Sequence, residues 1–484
     1  MTKRFLMLAG LLLALLLPVS GAAEQASTAD LVIAAQGFPH IGSLFDGDTV
    51  HGPLSGDHAS VTLTLPEGFR YAYLIFDTEY GEFLVTDEET GQTLSAGQEN
   101  FLHCLVDLKA LFGEDPKTVT FQFENGPVPL LELTLFPDEP LPDWVQRWKP
   151  PVDNGADLVL FSTHADDEQL FFAGVLPYYA GQKHYRVQVV YLTNHRNWSG
   201  DPNIRCHEAL DGLWAVGVRH YPVFGSFADY YSRRKEDAEN QFAQNGVSRE
   251  ELLSYVVAQI RRFRPLVAVG HDLNGEYGHG AHMLYAELLT QAAEAAADET
   301  RFVSSAAQYG TWQIPKVYLH LYENNPIVMD WDKPLSHFGG LTAYQVTKQR
   351  GFAAHASQQW GFAWYMSGID RAADIPKFSP CQYGLWSSIV GTDVEKNDFF
   401  ECLIPYDQQE ELARQAEIQA RLEALARQER VDRMKRAAVE KRLEALERTP
   451  PVPAETAAQP YWIALFVPLL LVAGTVWLSL RKKP

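Results

Sequence analysis

Apolar residues change their pattern along this chain, and each change predicts a new element. From 30 to 138 they sit among β-branched residues in short runs, at 61–65, 71–76, 119–123 and 131–135, separated by Gly, Asp, Asn and Pro. Short strands at that spacing predict an all-β sandwich. Segment 139–155 is a Pro-rich linker in which Trp144 and Trp148 are expected to dock on a neighbour. Beyond it, apolar runs at 157–163, 186–193 and 265–271 predict buried strands. Helical periodicity at 168–181, 204–216, 249–263 and 282–297 predicts helices between them. That alternation gives the fold class: an α/β domain over 156–404, with a Rossmann-like, mostly parallel sheet covered by helices on both faces. From 407 to 448 Glu and Arg interleave with apolar residues on imperfect heptads. That predicts a charged helical stalk with weak self-association.

The two ends carry apolar runs of a different kind. Lys3-Arg4, the run from Phe5 to Leu17, and Ser20-Gly21-Ala22-Ala23 read as a signal peptide over 1–23. The uncharged run 461–480 is long enough to cross a bilayer, and Arg481-Lys482-Lys483 follow it. Together they predict a single-pass protein of the cell membrane, with an extracytoplasmic catalytic domain and a cytoplasmic C-terminus.

At 484 residues the chain exceeds one core, and its net charge of −21 argues against a nucleic-acid partner. The four cysteines form no C-x-x-C pair. In an oxidising compartment Cys381 with Cys402 is the expected disulfide.

The chemistry gathers at two strand ends. His164, Asp166, Asp167 and Glu168 follow the first buried run, and His279 and His282 follow the third. In a parallel sheet both fall at carboxyl ends of strands, where ligands bind. A hydrolytic metal takes three protein ligands and keeps one open position. His164 and Asp167, three apart across a strand-to-helix turn, with His282 from the second cluster, supply such a set for Zn2+ or another divalent metal such as Fe2+. Asp166 is then placed as general base and His279 as donor to the oxyanion or leaving amine. Glu168 and His271 are expected to support the ligands from behind. Asp229, in Phe227-Ala228-Asp229-Tyr230-Tyr231, is a candidate contact for sugar hydroxyls.

His164-Ala165-Asp166-Asp167-Glu168 resembles the His-Pro-Asp-Asp-Glu signature of the GlcNAc-phosphatidylinositol de-N-acetylase-like (PIG-L/LmbE) family. His271-Asp272, Gly275-Glu276 and His279-x-x-His282 resemble its second motif, and Arg205-x-x-Glu208 its intermediate helix. The resemblance implies the same ligands (His164, Asp167, His282), base (Asp166) and oxyanion-stabilising His279, with Arg205 on the substrate sugar and Glu208 in support. Ala165 and Ala281 depart from the family pattern without removing a ligand. The implied function is a metal-dependent deacetylase of GlcNAc-type amino sugars, its partner an N-acetylated sugar or glycoconjugate. The alternatives are a non-catalytic surface carbohydrate-binding protein and an amidase of another C–N bond. Leu44-Phe45-Asp46-Gly47-Asp48 and the strands after it resemble discoidin-like jelly rolls, which leaves 30–138 as either a glycan-binding module or a packing partner.

Overall fold

The computed structural model describes residues 28–98, 100–138, 140–194 and 202–448. Those up to Gln409 form one compact unit and those from Glu410 a second.

The first part is a pair of antiparallel sheets. Strands β1 (Val32–Gln36), β2 (Ala59–Thr64), β3 (Phe69–Phe76), β4 (Phe83–Asp87), β5 (Thr93–Ala96), β6 (His103–Asp107), β7 (Thr118–Phe123) and β8 (Leu130–Pro137) divide between them. One sheet has the order β1-β2-β7-β4-β5 and the other β6-β3-β8. Inward residues of both, such as Val61, Leu74, Val85, Phe121 and Leu133, share one core. In β2 and β4 every second residue is buried, the period of a sheet with one wet face. Helix α1 (Leu108–Phe112) is capped by Asp107, whose side chain accepts from the Ala110 N–H, and ends at Gly113 in the left-handed region.

Glu132 lies buried on β8, accepting from the Gly47 N–H at 3.0 Å. Burial pushes its carboxyl from an ordinary 4.5 up to about 7. Between those values the folded protein keeps a proton that the unfolded chain has lost, so Glu132 makes stability fall as pH rises through that window. Glu132→Gln is expected to flatten this part of the Tm-against-pH curve; equal slopes in both proteins would contradict it.

The linker ties sandwich to α/β domain. Trp144 packs edge-on against Tyr73 and Phe136, while Trp148 stacks on Tyr221 and meets Trp214. Tyr221 Oη donates to the His103 carbonyl at 2.8 Å across the same interface.

The third sheet has the order β11-β10-β9-β12-β13-β15-β14. Its parallel strands are β9 (Leu158–Ser162), β10 (Val187–Thr193), β11 (Val223–Phe227), β12 (Val267–Gly270) and β13 (Lys316–His320). Strands β14 (Pro326–Val328) and β15 (Gln382–Ser388) add an antiparallel edge. Every residue of β9, β10, β12 and β13 is buried, because helices or loops cover both faces. Leu158 and Leu160 face one core, and Val159 and Phe161 the other. The helices are α2 (Asp167–Leu170), α3 (Pro202–Ala215), α4 (Lys235–Gln244), α5 (Arg249–Phe263), α6 (Gly280–Ala296) and α7 (Val303–Tyr309). The helix expected over 168–181 is broken: after α2 the chain forms turns, then a wide helical turn over Pro177–Gln182. Strand β9 sits between β10 and β12, so the sheet order reverses there and a crevice opens at the carboxyl ends.

Other expectations are corrected. None of the four cysteines is in a disulfide; Cys381 is buried and Cys402 exposed, so the Cys381–Cys402 disulfide is not formed. The helix Tyr406–Glu447 exists but buries no residue. Self-association through it finds no support. The signal peptide at 1–23 and the span at 461–480 lie outside the described residues. Among the described residues no helix is long and apolar enough to cross a membrane, and the single-pass, extracytoplasmic placement expected from the sequence finds no support there.

Candidate active site

The turn after β9 is made by its own polar groups. The His164 N–H donates to Asp167 Oδ2 at 2.9 Å, the Asp166 N–H to Glu168 Oε2 at 2.9 Å, and Ser162 Oγ to the His164 carbonyl at 3.1 Å. Asp166 adopts φ 148°, ψ −28°, a conformation that a residue with a Cβ rarely takes. Such strain, about 1–3 kcal/mol, persists where the surroundings impose it. The turn ends on α2, whose first residues are Asp167 and Glu168, carboxylates suited to a helix N-terminus.

The second cluster comes off β12. Gly275 has φ 67°, and a Cβ there would stand 2.5 Å from the His279 carbonyl oxygen, so the loop closes only on glycine. Helix α6 then begins at Gly280, with His279 as its cap.

These two turns bring the expected ligands together. His164 Nδ1 lies 3.0 Å from Asp167 Oδ2 and 3.2 Å from His282 Nε2, and the latter two atoms are 3.2 Å apart. All three residues are buried. The outer ring nitrogens are both engaged: His164 Nε2 with Asp229 Oδ1 at 3.2 Å, and His282 Nδ1 with Glu276 Oε2 at 2.8 Å. Each carboxylate holds the ring proton on the outer nitrogen. What remains inside is three lone pairs facing one another, and they repel unless a proton or a cation sits among them. Donors bound at about 2.0–2.1 Å around one tetrahedral ion stand about 3.3 Å apart. The donor set and its spacing therefore fit a single divalent cation.

The electrostatics agree. Burial opposes charge on His164, but Asp229 and Asp167 outweigh it and raise its pKa well above the ordinary range. The same contest, decided by Asp167 and Glu276, raises His282 to about 9. Burial would push Asp167 and Glu276 up, yet the surrounding imidazoles hold both well below the usual carboxylate range. The pocket thus demands positive charge.

Two further imidazoles lie beside the triad. Donor atoms of Asp167, His271 and His282 also cluster within 4.8 Å, as do those of His164, His279 and His282. His271 is already committed: its Nε2 accepts from the Thr163 N–H at 3.0 Å, and its Nδ1–H goes to Glu276 at 2.9 Å. It bridges the ends of β9 and β12. His279 Nδ1 accepts from the Ala281 N–H at 3.2 Å, so the neutral ring carries its proton on Nε2. Burial, with His282 and His164 beside it, drives the His279 pKa down to about 2 and keeps the ring neutral.

Asp166 is buried, and that burial raises its carboxyl to about 7 against the pull of Arg205. Arg205 Nη2 lies 3.4 Å from Asp166 Oδ2 and donates to the Ala165 carbonyl, so this guanidinium braces the turn as well as lining the cavity. Glu208 stands behind Arg205, its Oε2 3.9 Å from Arg205 Nε, and accepts from the Ser357 N–H at 2.6 Å and from Ser357 Oγ at 2.7 Å. Glu168 accepts from the Asp166 N–H and also meets His355 Nε2 at 3.1 Å. Asp229, expected on the sugar, lines the cavity and is also the partner of His164.

Three features go beyond what the sequence signalled. Glu276 is a hub: besides His271 and His282 it meets His320 Nδ1 at 2.6 Å. Tyr277 packs edge-on against His279 and His282. The third is the rim of the cavity, of about 300 Å³, where Trp360, Phe362, Trp364 and Tyr231 stand around the cluster. Trp360 is 86% exposed and Trp364 55%, large apolar faces left open at the mouth. His195, Arg196 and Trp198, expected to line the pocket, lie outside the described residues.

Comparison with known proteins places this site. Residues 159–293 match the family model described as PIG-L: GlcNAc-PI de-N-acetylase. The chain carries a PIG-L domain. A 1D-myo-inositol 2-acetamido-2-deoxy-alpha-D-glucopyranoside deacetylase of Rhodococcus erythropolis is 33% identical over 117 residues, 24% of this chain and 38% of the relative. One from Rhodococcus opacus is 28% identical over 179 residues, 33% of this chain and 60% of that protein. The chain thus spans less than two thirds of the length of these relatives. Among solved structures, the N,N'-diacetylchitobiose deacetylase from Pyrococcus horikoshii aligns over 48% of this chain and 83% of its own, at 13% identity and a TM-score of 0.31. A likeness that slight carries no argument. The PIG-L match contains the clusters at both strand ends, together with Asp229 and Glu276. It leaves outside His320, His355 and the tryptophan rim.

Proposed function

We propose that this chain is a metal-dependent hydrolase that removes the N-acetyl group from a GlcNAc-type amino sugar. The supporting observation is the trio of inward lone pairs on His164, Asp167 and His282, each imidazole backed by a carboxylate. A divalent cation held there, zinc or ferrous iron, would supply Lewis acidity to the amide carbonyl and acidify a water. The chain's own groups do the rest. Asp166, a buried carboxylate lining the same cavity, takes the proton of the attacking water and passes one to the departing amine. His279 donates from Nε2 to the carbonyl oxygen as negative charge develops on it. Arg205 holds the Asp166 turn and presents its remaining surface to the sugar. Within this reading residues 156–404 carry the reaction.

The curated relatives are named as deacetylases of an acetamido sugar, which favours acetamide over other C–N bonds. The test is acetate release from a panel of N-acetylated amino sugars by the purified chain with added zinc. Release from N-acetylglucosaminides is expected; release of no acetate from any of them, with a different amide cleaved instead, would replace acetamide by that amide.

The rim gives a further expectation. Aromatic faces at a saccharide site bury the apolar face of a sugar ring in ground state and transition state alike. Trp364→Ala is therefore expected to raise KM about ten-fold with kcat within about two-fold. A fall in kcat at unchanged KM would show that Trp364 acts on the chemistry instead.

A further inference from the structure

We infer that the cavity between the sandwich and the α/β domain is a second carbohydrate site, built for an acidic saccharide that carries carboxylate or sulfate groups. This cavity, of about 990 Å³, is the size of a ligand pocket and is lined from three directions. Tyr73 and His103 come from the sandwich, Trp144 and Lys149 from the linker, and Trp214, Arg219 and Arg350 from the α/β domain. Nothing in the PIG-L chemistry uses it: the acetamide site occupies a different cavity, and Lys149, Arg219 and Arg350 do not line that one.

The charge is the first observation. The chain carries −21 overall, yet Lys149, Arg219 and Arg350 gather here, and among the described residues none of them pairs with a carboxylate. Arg219 donates to the Val218 and Trp214 carbonyls at 2.8 Å and lies 3.9 Å over the Trp214 ring. Those bonds orient the guanidinium without neutralising it, and the exposed Asp143 attracts it without forming an ion pair. The crowding shows in the ionisation: burial lowers the Arg219 pKa and Arg147 adds to it, and burial lowers His337, with His184, Arg219 and Arg350 adding to that. The cationic surface continues into an adjoining cavity of about 770 Å³, which shares Lys149, Arg219 and His337. Two carboxylates also line the larger cavity. Asp211 is taken by Gln146 Nε2, and Asp143 is exposed.

The second observation is a buried donor without an acceptor. His103 is 5% exposed. Tyr73 Oη accepts from the Gln146 N–H and so gives its own proton to His103 Nδ1, at 2.7 Å. The neutral ring then carries its proton on Nε2, and that atom has no partner. A buried N–H left unpaired is costly and asks for an acceptor. Aromatic faces supply the third: Trp144 is 50% exposed beside Tyr73, and Trp214 lines the opposite wall. Cations suit carboxylate or sulfate, the imidazole N–H suits a hydroxyl, and indole faces suit the ring. A free inorganic anion would use only the first of these.

The test is calorimetric titration of the full chain with digalacturonate, a sulfated disaccharide, neutral digalactose and inorganic sulfate, at about 0.15 M salt. At least one acidic disaccharide is expected to bind about ten-fold or more tighter than the neutral one and than sulfate. The double substitution Lys149→Gln, Arg350→Gln, at exposed positions and with unchanged Tm, is expected to weaken that binding about ten-fold or more. The inference is overturned if no saccharide binds up to about 10 mM. It is equally overturned if digalactose or sulfate binds as tightly as the acidic disaccharides, or if the double variant binds unchanged. None of these results bears on acetate release, so the two sites are tested separately.

Discussion

Asp166→Asn is expected to lower kcat by about 10²–10⁴ while leaving zinc stoichiometry and Tm close to those of the native chain. An amide cannot take the proton that the carboxylate takes, so water attack and amine departure both lose their proton carrier. The change is nearly isosteric. The turn around it is fixed by other groups: the Asp166 N–H on Glu168, the His164 N–H on Asp167, and Arg205 on the Ala165 carbonyl. The proposed cation ligands, His164, Asp167 and His282, do not include Asp166, so metal uptake should survive. Paired measurement of kcat and bound zinc checks both halves. Loss of metal together with activity would make Asp166 a ligand; kcat within a factor of a few would move the proton transfer to another group.

Glu276→Ala is expected to be the most damaging substitution away from the ligands. Its carboxylate accepts from His271 at 2.9 Å and His282 at 2.8 Å, meets His320 at 2.6 Å, and receives the Asp272 N–H at 3.2 Å. Glu276, His271, His282 and His320 are all buried. Removing it strands the His271 and His282 ring protons without an acceptor, leaves His320 only the Ser379 carbonyl, and frees His282 to turn its proton inward. Breaking a buried charged pair costs about 3–5 kcal/mol. In a unit of this size that is a fall in Tm of about 6–20 °C. Zinc affinity should drop about 10–100-fold, because an outer carboxylate fixes the tautomer of the ligand. Thermal melting and competitive zinc titration measure the two effects; a Tm within about 2 °C of native and unchanged affinity would remove Glu276 from the centre of the site.

The parts of this protein visible in its sequence are those where a local pattern dictates a local structure. The runs at 157–163, 186–193 and 265–271 became β9, β10 and β12, because fully apolar β-branched runs have no stable place except a covered sheet. The clusters behind β9 and β12 could be placed at one crevice for the same reason. Strands β1, β4, β5 and β6 escaped notice, since runs such as Thr93-Leu94-Ser95-Ala96 are short and half polar, and β4 and β6 pair with strands far along the chain, β7 and β3. Glu276 was visible as a member of the second motif; only the meeting of the ends of β12 and β13 with the start of α6 makes it a hub. His320 did carry a usable signal: it ends the buried strand β13, as His271 closely follows β12. Asp229 lies after a strand that was not anticipated, and its link to His164 spans 65 positions, a distance at which spacing says nothing. The tryptophan rim was visible as an aromatic cluster, but its exposure is a tertiary property.

The claim that matters most is that His164, Asp167 and His282 hold one catalytic cation. Its most direct test is to strip the purified chain with chelator, return zinc in steps, and follow acetate release from an N-acetylglucosaminide together with bound metal. Activity should be absent at the start and rise in proportion to zinc up to one ion per chain. His282→Ala should neither bind that ion nor release acetate. Full acetate release by the metal-free chain would contradict the claim outright.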